Sequence, residues 1–127
     1  MVTAQEIRDF LGEISEEDLP DDTINQMIEL AGWKVDLTKS SEASDALVEE
    51  AKKVVAAYYC YLAYAAKLER GIGATPPEVS RQLARYEALY NEFLEAVKRG
   101  RPLSTSEISA PIELTPSKYQ TTVTSDG

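Results

Sequence analysis

Apolar positions recur at helical spacing in four blocks of this chain, and one block dominates. From Val54 to Ala66 the sequence reads Val-Val-Ala-Ala-Tyr-Tyr-Cys-Tyr-Leu-Ala-Tyr-Ala-Ala, with no charge, glycine or proline. Around it, Leu47, Ala51, Val54, Tyr58, Tyr61, Leu62, Ala65 and Leu68 follow one helical face, which predicts a single helix over 44–70. Val55, Ala56, Ala63 and Ala66 make the opposite face apolar as well. A helix apolar all round is buried all round, so the expectation is a central helix wrapped by others. On that reading Leu62→Asp buries an unpaired charge and unfolds the domain. Thirteen uncharged residues fall short of the roughly 20 that a bilayer span needs.

The other three blocks are shorter. Thr3-Ala4-Gln5-Glu6 has the form of a capping box; it predicts a helix over 4–11 with Ile7, Phe10 and Leu11 on one side, stopped by Gly12 in a left-handed conformation. After an acidic connector and Leu19-Pro20, Asp21 or Asp22 is expected to cap a helix over 22–38. Ile24, Met27, Ile28, Ala31 and Val35 form its apolar stripe, and Gly32 within it suggests a close helix crossing at a cost of about 1 kcal/mol. Gly71-Ile72-Gly73 ends the central helix. Thr75 as N-cap, Pro76 at the first helical position and Glu78 then open a helix over 77–99. Its face is Val79, Leu83, Tyr86, Leu89, Tyr90, Phe93 and Val97, and Gly100 and Pro102 close it. The fold class predicted is all-α: a four-helix bundle over 1–100 with a long central third helix, followed by an extended C-terminal tail over 101–127.

Charge adds an asymmetry. Residues 1–50 hold 14 acids against 3 bases, whereas 51–127 hold 8 against 10, for a net charge of −9. An acidic surface disfavours nucleic acid, whose phosphates are neutralised by Lys and Arg, and anionic membranes. It serves solubility, or gives a surface that DNA passes without sticking. The 127 residues suit one domain with a modest core, and no signal peptide is expected. Chemistry is sparse. The chain has no histidine and one cysteine, Cys60, so neither a His-based triad nor a zinc site is expected. Cys60 reads as a buried small hydrophobe in a reducing cytoplasm. The acids at 13–22 lack the ligand spacing and central glycine of a calcium loop, and Gly71-Ile72-Gly73 lacks the continuation of a phosphate loop. No catalytic, cofactor or metal residue is expected; the chain does not read as an enzyme.

One further pattern concerns order and style. Val2-Thr3-Ala4-Gln5-Glu6-Ile7-Arg8-Asp9-Phe10-Leu11, an acidic turn, then Leu19-Pro20-Asp21-Asp22-Thr23-Ile24-Asn25-Gln26-Met27-Ile28-Glu29-Leu30-Ala31, a long Ala/Tyr-rich helix and a shorter closing helix follow one another over residues 1–100. This resembles the head–tail connector (adaptor) proteins of long-tailed bacteriophages. The resemblance implies a virion part at the neck, made in the host cytoplasm. It implies a homo-oligomeric ring, usually of twelve copies, below the portal protein. Such a ring extends the DNA channel, passes DNA without sequence-specific binding, and offers a docking platform to a tail or stopper protein, with no cofactor. The rival readings from composition are a small acidic helical interaction module and an acidic DNA mimic.

Interface candidates follow from position. Trp33 lies off the apolar stripe of its helix and is either an edge residue covering the core or an interface anchor. In a ring two different faces of each subunit must match. The acids at 13–22 and the bases Arg81, Arg85, Lys98 and Arg99 are such a pair, or else solvated surface. In the Ser/Thr/Pro-rich tail, Ile112 and Leu114 alternate with polar residues, and Tyr119 and Val123 follow. A lone strand needs a sheet edge from elsewhere, so the tail is expected to be ordered only on a partner.

Overall fold

A computed structural model of the chain describes residues 1–12 and 14–101. Four helices account for most of them: α1 (Ala4–Leu11), α2 (Asp21–Thr38), α3 (Asp45–Ile72) and α4 (Pro77–Arg99). No strand occurs among the described residues. The fold is an all-α bundle in which α2 and α4 both pack along α3, and the short α1 sits against α3 and α2.

Each helix starts where local chemistry satisfies or removes its free amides. At α1 the capping box forms as expected: the Thr3 hydroxyl accepts from the Glu6 amide at 3.2 Å, and the Thr3 amide donates to Glu6 Oε1 at 2.9 Å. Gly12 closes α1 at φ +89° and ψ −149°, so φ is positive but the residue is not in the compact left-handed helical region. At α2 no aspartate caps. Pro20 stands at the N-cap, and Asp21 is already the first helical residue. The Asp21 carboxylate is held by Arg8, at 2.6 Å from Nη2 and 3.0 Å from Nε. Both Asp21 and Asp22 still lie in the first turn, where negative charge opposes the helix dipole favourably.

α3 is capped by Ser44, whose hydroxyl accepts from the Leu47 amide at 3.1 Å. It runs through Gly71 to Ile72 and stops at Gly73, which is left-handed at φ +81°. α4 begins one residue later than the Thr75 cap required. Pro76 is the N-cap, with extended ψ of 145°, and Pro77 is the first helical residue. The cause is steric: the ring of Pro77 clashes with a helical conformation at the residue before it, which excludes Pro76 from the helix and displaces Thr75 from the capping position.

The core follows α3. Ile7, Leu19, Ile24, Ala31 and Val35 meet Ala51, Val55, Ala56, Cys60 and Val97 in one apolar cluster. A second, more aromatic cluster joins Tyr61, Ala65, Val79 and Tyr86, with Phe10 packed against it. Arg8 ties α1 to the connector: besides Asp21 it donates to the Leu19 carbonyl at 2.7 Å. At the other end of the bundle, the Ser40 amide donates to the Val97 carbonyl at 2.8 Å, joining the α2–α3 loop to the end of α4.

Two further expectations are corrected. The central helix is not covered on every side: Leu62 is 38 % exposed, Ala63 is half-buried and Ala66 exposed. α3 has 28 residues, about 42 Å of helix, whereas α2 and α4 with 18 and 23 residues supply only about 27 and 35 Å. Two helices and an eight-residue third cannot surround it. Gly32 marks no close crossing, since a β-carbon there would meet nothing within 4 Å.

Candidate functional site

α2 carries two apolar stripes. The inner one, Ile24, Ala31 and Val35, is fully buried. The second, Leu30, Trp33 and Leu37, has the i, i+3, i+7 spacing of a single helical face. These side chains are 45 %, 62 % and 87 % exposed. Met27, half-buried, lies between the two stripes. On the neighbouring helix, Leu62 and Ala63 continue the apolar surface. Met27, Leu30, Tyr59, Leu62 and Ala63 line an open groove of about 510 Å³ between α2 and α3. Among the described residues, four of the six large exposed apolar side chains belong to this one region; Met1 and Ile72 are the other two. Scattered exposed leucines are ordinary, but exposed apolar side chains gathered on one face make a candidate contact surface.

The groove wall is packed from behind by α4. The Tyr59 ring packs tilted against Tyr90 at 5.9 Å, and Tyr90 lies 4.7 Å from Tyr58. Burial, together with the hydrogen bond to Tyr90, pushes the Tyr59 hydroxyl up to about 12, so it stays protonated at any physiological pH. Tyr61 and Tyr86 meet edge to face at 5.1 Å in the second cluster. The tyrosines thus serve as packing spacers between α3 and α4. Burial likewise pushes the Cys60 thiol up to about 12, only partly opposed by Arg8. A thiol that stays protonated is a poor nucleophile.

Charged residues surround the patch unevenly. Burial, the largest single influence on Asp36, raises its carboxyl, but the hydrogen bonds and charges of Lys52 and Lys39 together outweigh it and hold it below its ordinary value; the ion pairs are 3.3 and 3.4 Å long. Lys34 falls between Met27, Leu30 and Leu37 on the α2 surface, is exposed, and has no ion-pair partner among the described residues. Glu92 on α4 is half-buried, and burial raises its carboxyl above the ordinary range.

The residues anticipated as interface separate into distinct places. Trp33 stands on the outer stripe of α2, outside both apolar clusters. Arg81 and Arg85 are exposed near the start of α4, Lys98 and Arg99 at its end; Arg85 donates to Gln82 at 2.7 Å, and Arg99 pairs with Glu95 at 3.3 Å. Within one chain the acidic connector meets other cations. Asp21 takes Arg8, Asp18 lies 4.0 Å from Lys67, and Lys67 also donates to the Glu17 carbonyl. Ile112, Leu114, Tyr119 and Val123 lie outside the described residues. The sequence reading passed over Leu30 and Leu37 and placed Leu62 in the core. The signal was the second i, i+3, i+7 series on α2, parallel to the inner stripe and obscured by it.

Among the described residues no group of three or more His, Cys, Asp or Glu side chains is arranged to hold a metal ion. No described helix is long and apolar enough to cross a membrane. No family model, curated protein or solved structure matches this chain.

Proposed function

We propose that this chain is a structural assembly protein acting as a head–tail connector. In this role copies form a ring below a portal protein, extend the DNA channel and offer a platform to a tail or stopper protein. The observation that carries the assembly half is the outer stripe of α2. Leu30, Trp33 and Leu37 sit exposed on one face of α2, on the side of Leu62, with Trp33 available as the anchor that interfaces favour. The neck setting comes from the sequence resemblance over residues 1–100. The acidic surface is consistent with a channel wall that does not retain DNA. Arg81, Arg85, Lys98, Arg99 and the C-terminal residues Ile112, Leu114, Tyr119 and Val123 are the further contacts assigned to neighbours or portal.

The test is to mix the purified protein with portal particles and image them by electron microscopy. A ring of added density below the portal is expected, lost or strongly depleted in a Trp33→Ala, Leu37→Ser chain of unchanged helix content. Unaltered portal particles at saturating protein overturn the connector reading. The same apolar face would also serve a small acidic interaction module with no virion role. That alternative is favoured if the protein forms a stable small oligomer alone and ignores the portal.

A further inference from the structure

We infer that two copies of this chain pair through the outer stripe of α2, with their α2 helices parallel and in register. Gln26, Leu30, Trp33 and Leu37 follow one another at spacings of four, three and four residues, the alternation of a coiled-coil seam. Gln26 is exposed like the other three. The mean direction of Leu30, Trp33 and Leu37 lies about 150° around the helix from that of the buried Ile24, Ala31 and Val35. A copy set against the stripe therefore carries its own core on the far side, and the two bundles stand back to back.

Charge decides the occupant and its direction. Glu29 precedes the seam residue Leu30 and Lys34 follows Trp33, so the two flank the stripe on opposite sides. Both are exposed, and neither has an ion-pair partner among the described residues. In a parallel, in-register pair, a flanking residue meets the one about five positions further on in the other copy. That sets Glu29 of each copy beside Lys34 of the other, once on each side of the two-fold axis. An antiparallel pair brings the same flanks together, and Glu29 then faces Glu29 or Asp36 of the other copy, where like charges oppose it. The stripe is thus complementary to itself in one orientation, as a two-fold contact requires. The net charge of −9 opposes pairing at a distance, but physiological salt screens it beyond about 8 Å.

A two-fold contact closes on itself and uses the stripe up. Pairing therefore competes with any contact that the stripe makes in a ring, and holds free copies two by two until another surface replaces one of them. The pairing does not rest on the connector reading: it is measured on the protein alone, whereas that reading is measured on portal particles.

Sedimentation of the full chain at physiological salt should show a monomer–dimer equilibrium. Acrylamide quenching of Trp33, the only tryptophan, should fall as the dimer forms. Glu29→Lys and Lys34→Glu should each weaken the dimer by about tenfold at unchanged helix content, since each acts twice across the axis. Combined in one chain they should restore it, because opposite signs meet again. Gln26→Cys and Leu37→Cys, at the two ends of the stripe, should each oxidise to a linked dimer, which only parallel helices in register permit; the native Cys60 is fully buried and does not compete. A chain that stays monomeric at about 1 mM overturns the inference. So does a dimer that the single reversals leave unchanged or the double exchange fails to restore, and so does the absence of a linked dimer in either cysteine variant.

Discussion

At the scale of single residues, the most constrained position is Gly100. Its φ of +89° disfavours any side chain, and the space a β-carbon would fill is taken by Ser40 Oγ at 2.6 Å, Glu42 Cβ at 2.8 Å and the Glu42 backbone carbon at 3.3 Å. The serine hydroxyl can rotate away, but Glu42 Cβ and its backbone cannot. Gly100→Ala should destabilise the protein by about 2–3 kcal/mol, combining left-handed strain with displacement of the α2–α3 loop, read as a shift of the urea midpoint. Gly73, also left-handed, has open space around it; there alanine should cost only the strain, about 1 kcal/mol. A Gly100→Ala chain no less stable than Gly73→Ala would show that the loop contact is not constraining. The sequence predicts Gly100 as a helix stop, and that is correct. The contact with residues 40 and 42, distant in the chain, is not encoded in any local pattern.

At the scale of helices, the division of α3 into covered and uncovered sides decides which substitutions matter. Ala56 is fully buried between packed helices, whereas Leu62 is 38 % exposed at the edge of the groove. Ala56→Asp should cost at least 3 kcal/mol, because it places an unpaired charge and extra volume in a filled space. Leu62→Asp should leave the bundle folded at a cost of about 1–2 kcal/mol, since its carboxylate reaches water. Circular dichroism and thermal melting of the two variants check this; an unfolded Leu62→Asp chain would mean that the groove is closed in solution. The ends of α3 and α4 were legible from Gly73 and Gly100, whereas the Thr75 cap expected for α4 was misplaced by one residue. The length mismatch that leaves Leu62 and Ala66 open was legible too, in the relative lengths of the blocks. Which side would be left open was not, because all sides of residues 54–66 are similarly apolar.

At the scale of the whole molecule, stability should depend on pH through Glu92. Burial raises its folded carboxyl above the ordinary value of 4.5, so the folded state binds this proton more tightly than the unfolded one. Stability from this group is therefore full below pH 4.5 and is lost as pH rises through the folded value, leaving Glu92 a net cost at neutral pH. Glu92→Gln should raise the melting temperature at pH 7, and the gain should shrink toward zero below pH 4.5. A gain that persists unchanged at pH 4 would assign the effect to packing and not to charge.

The four helices, their approximate limits and the all-α class were determined by the sequence alone, because each rests on local terms: capping groups, the fixed φ of proline, glycine stops and a 3.6-residue apolar period. These act within a few residues and leave their trace in order. The cap at Pro76 was settled there as well, in the Pro76-Pro77 pair. Only tertiary structure decided the rest: that Arg8 binds the Asp21 carboxylate, that Gly100 meets Ser40 and Glu42, and that no described helix covers the second stripe of α2, Leu30, Trp33 and Leu37. The longer stripe, Ile24 to Val35, was legible as the buried one; whether another element also covers the shorter stripe was not. That depends on which side chains complement a partner surface tens of residues away, and the spacing along one helix carries no information about that surface.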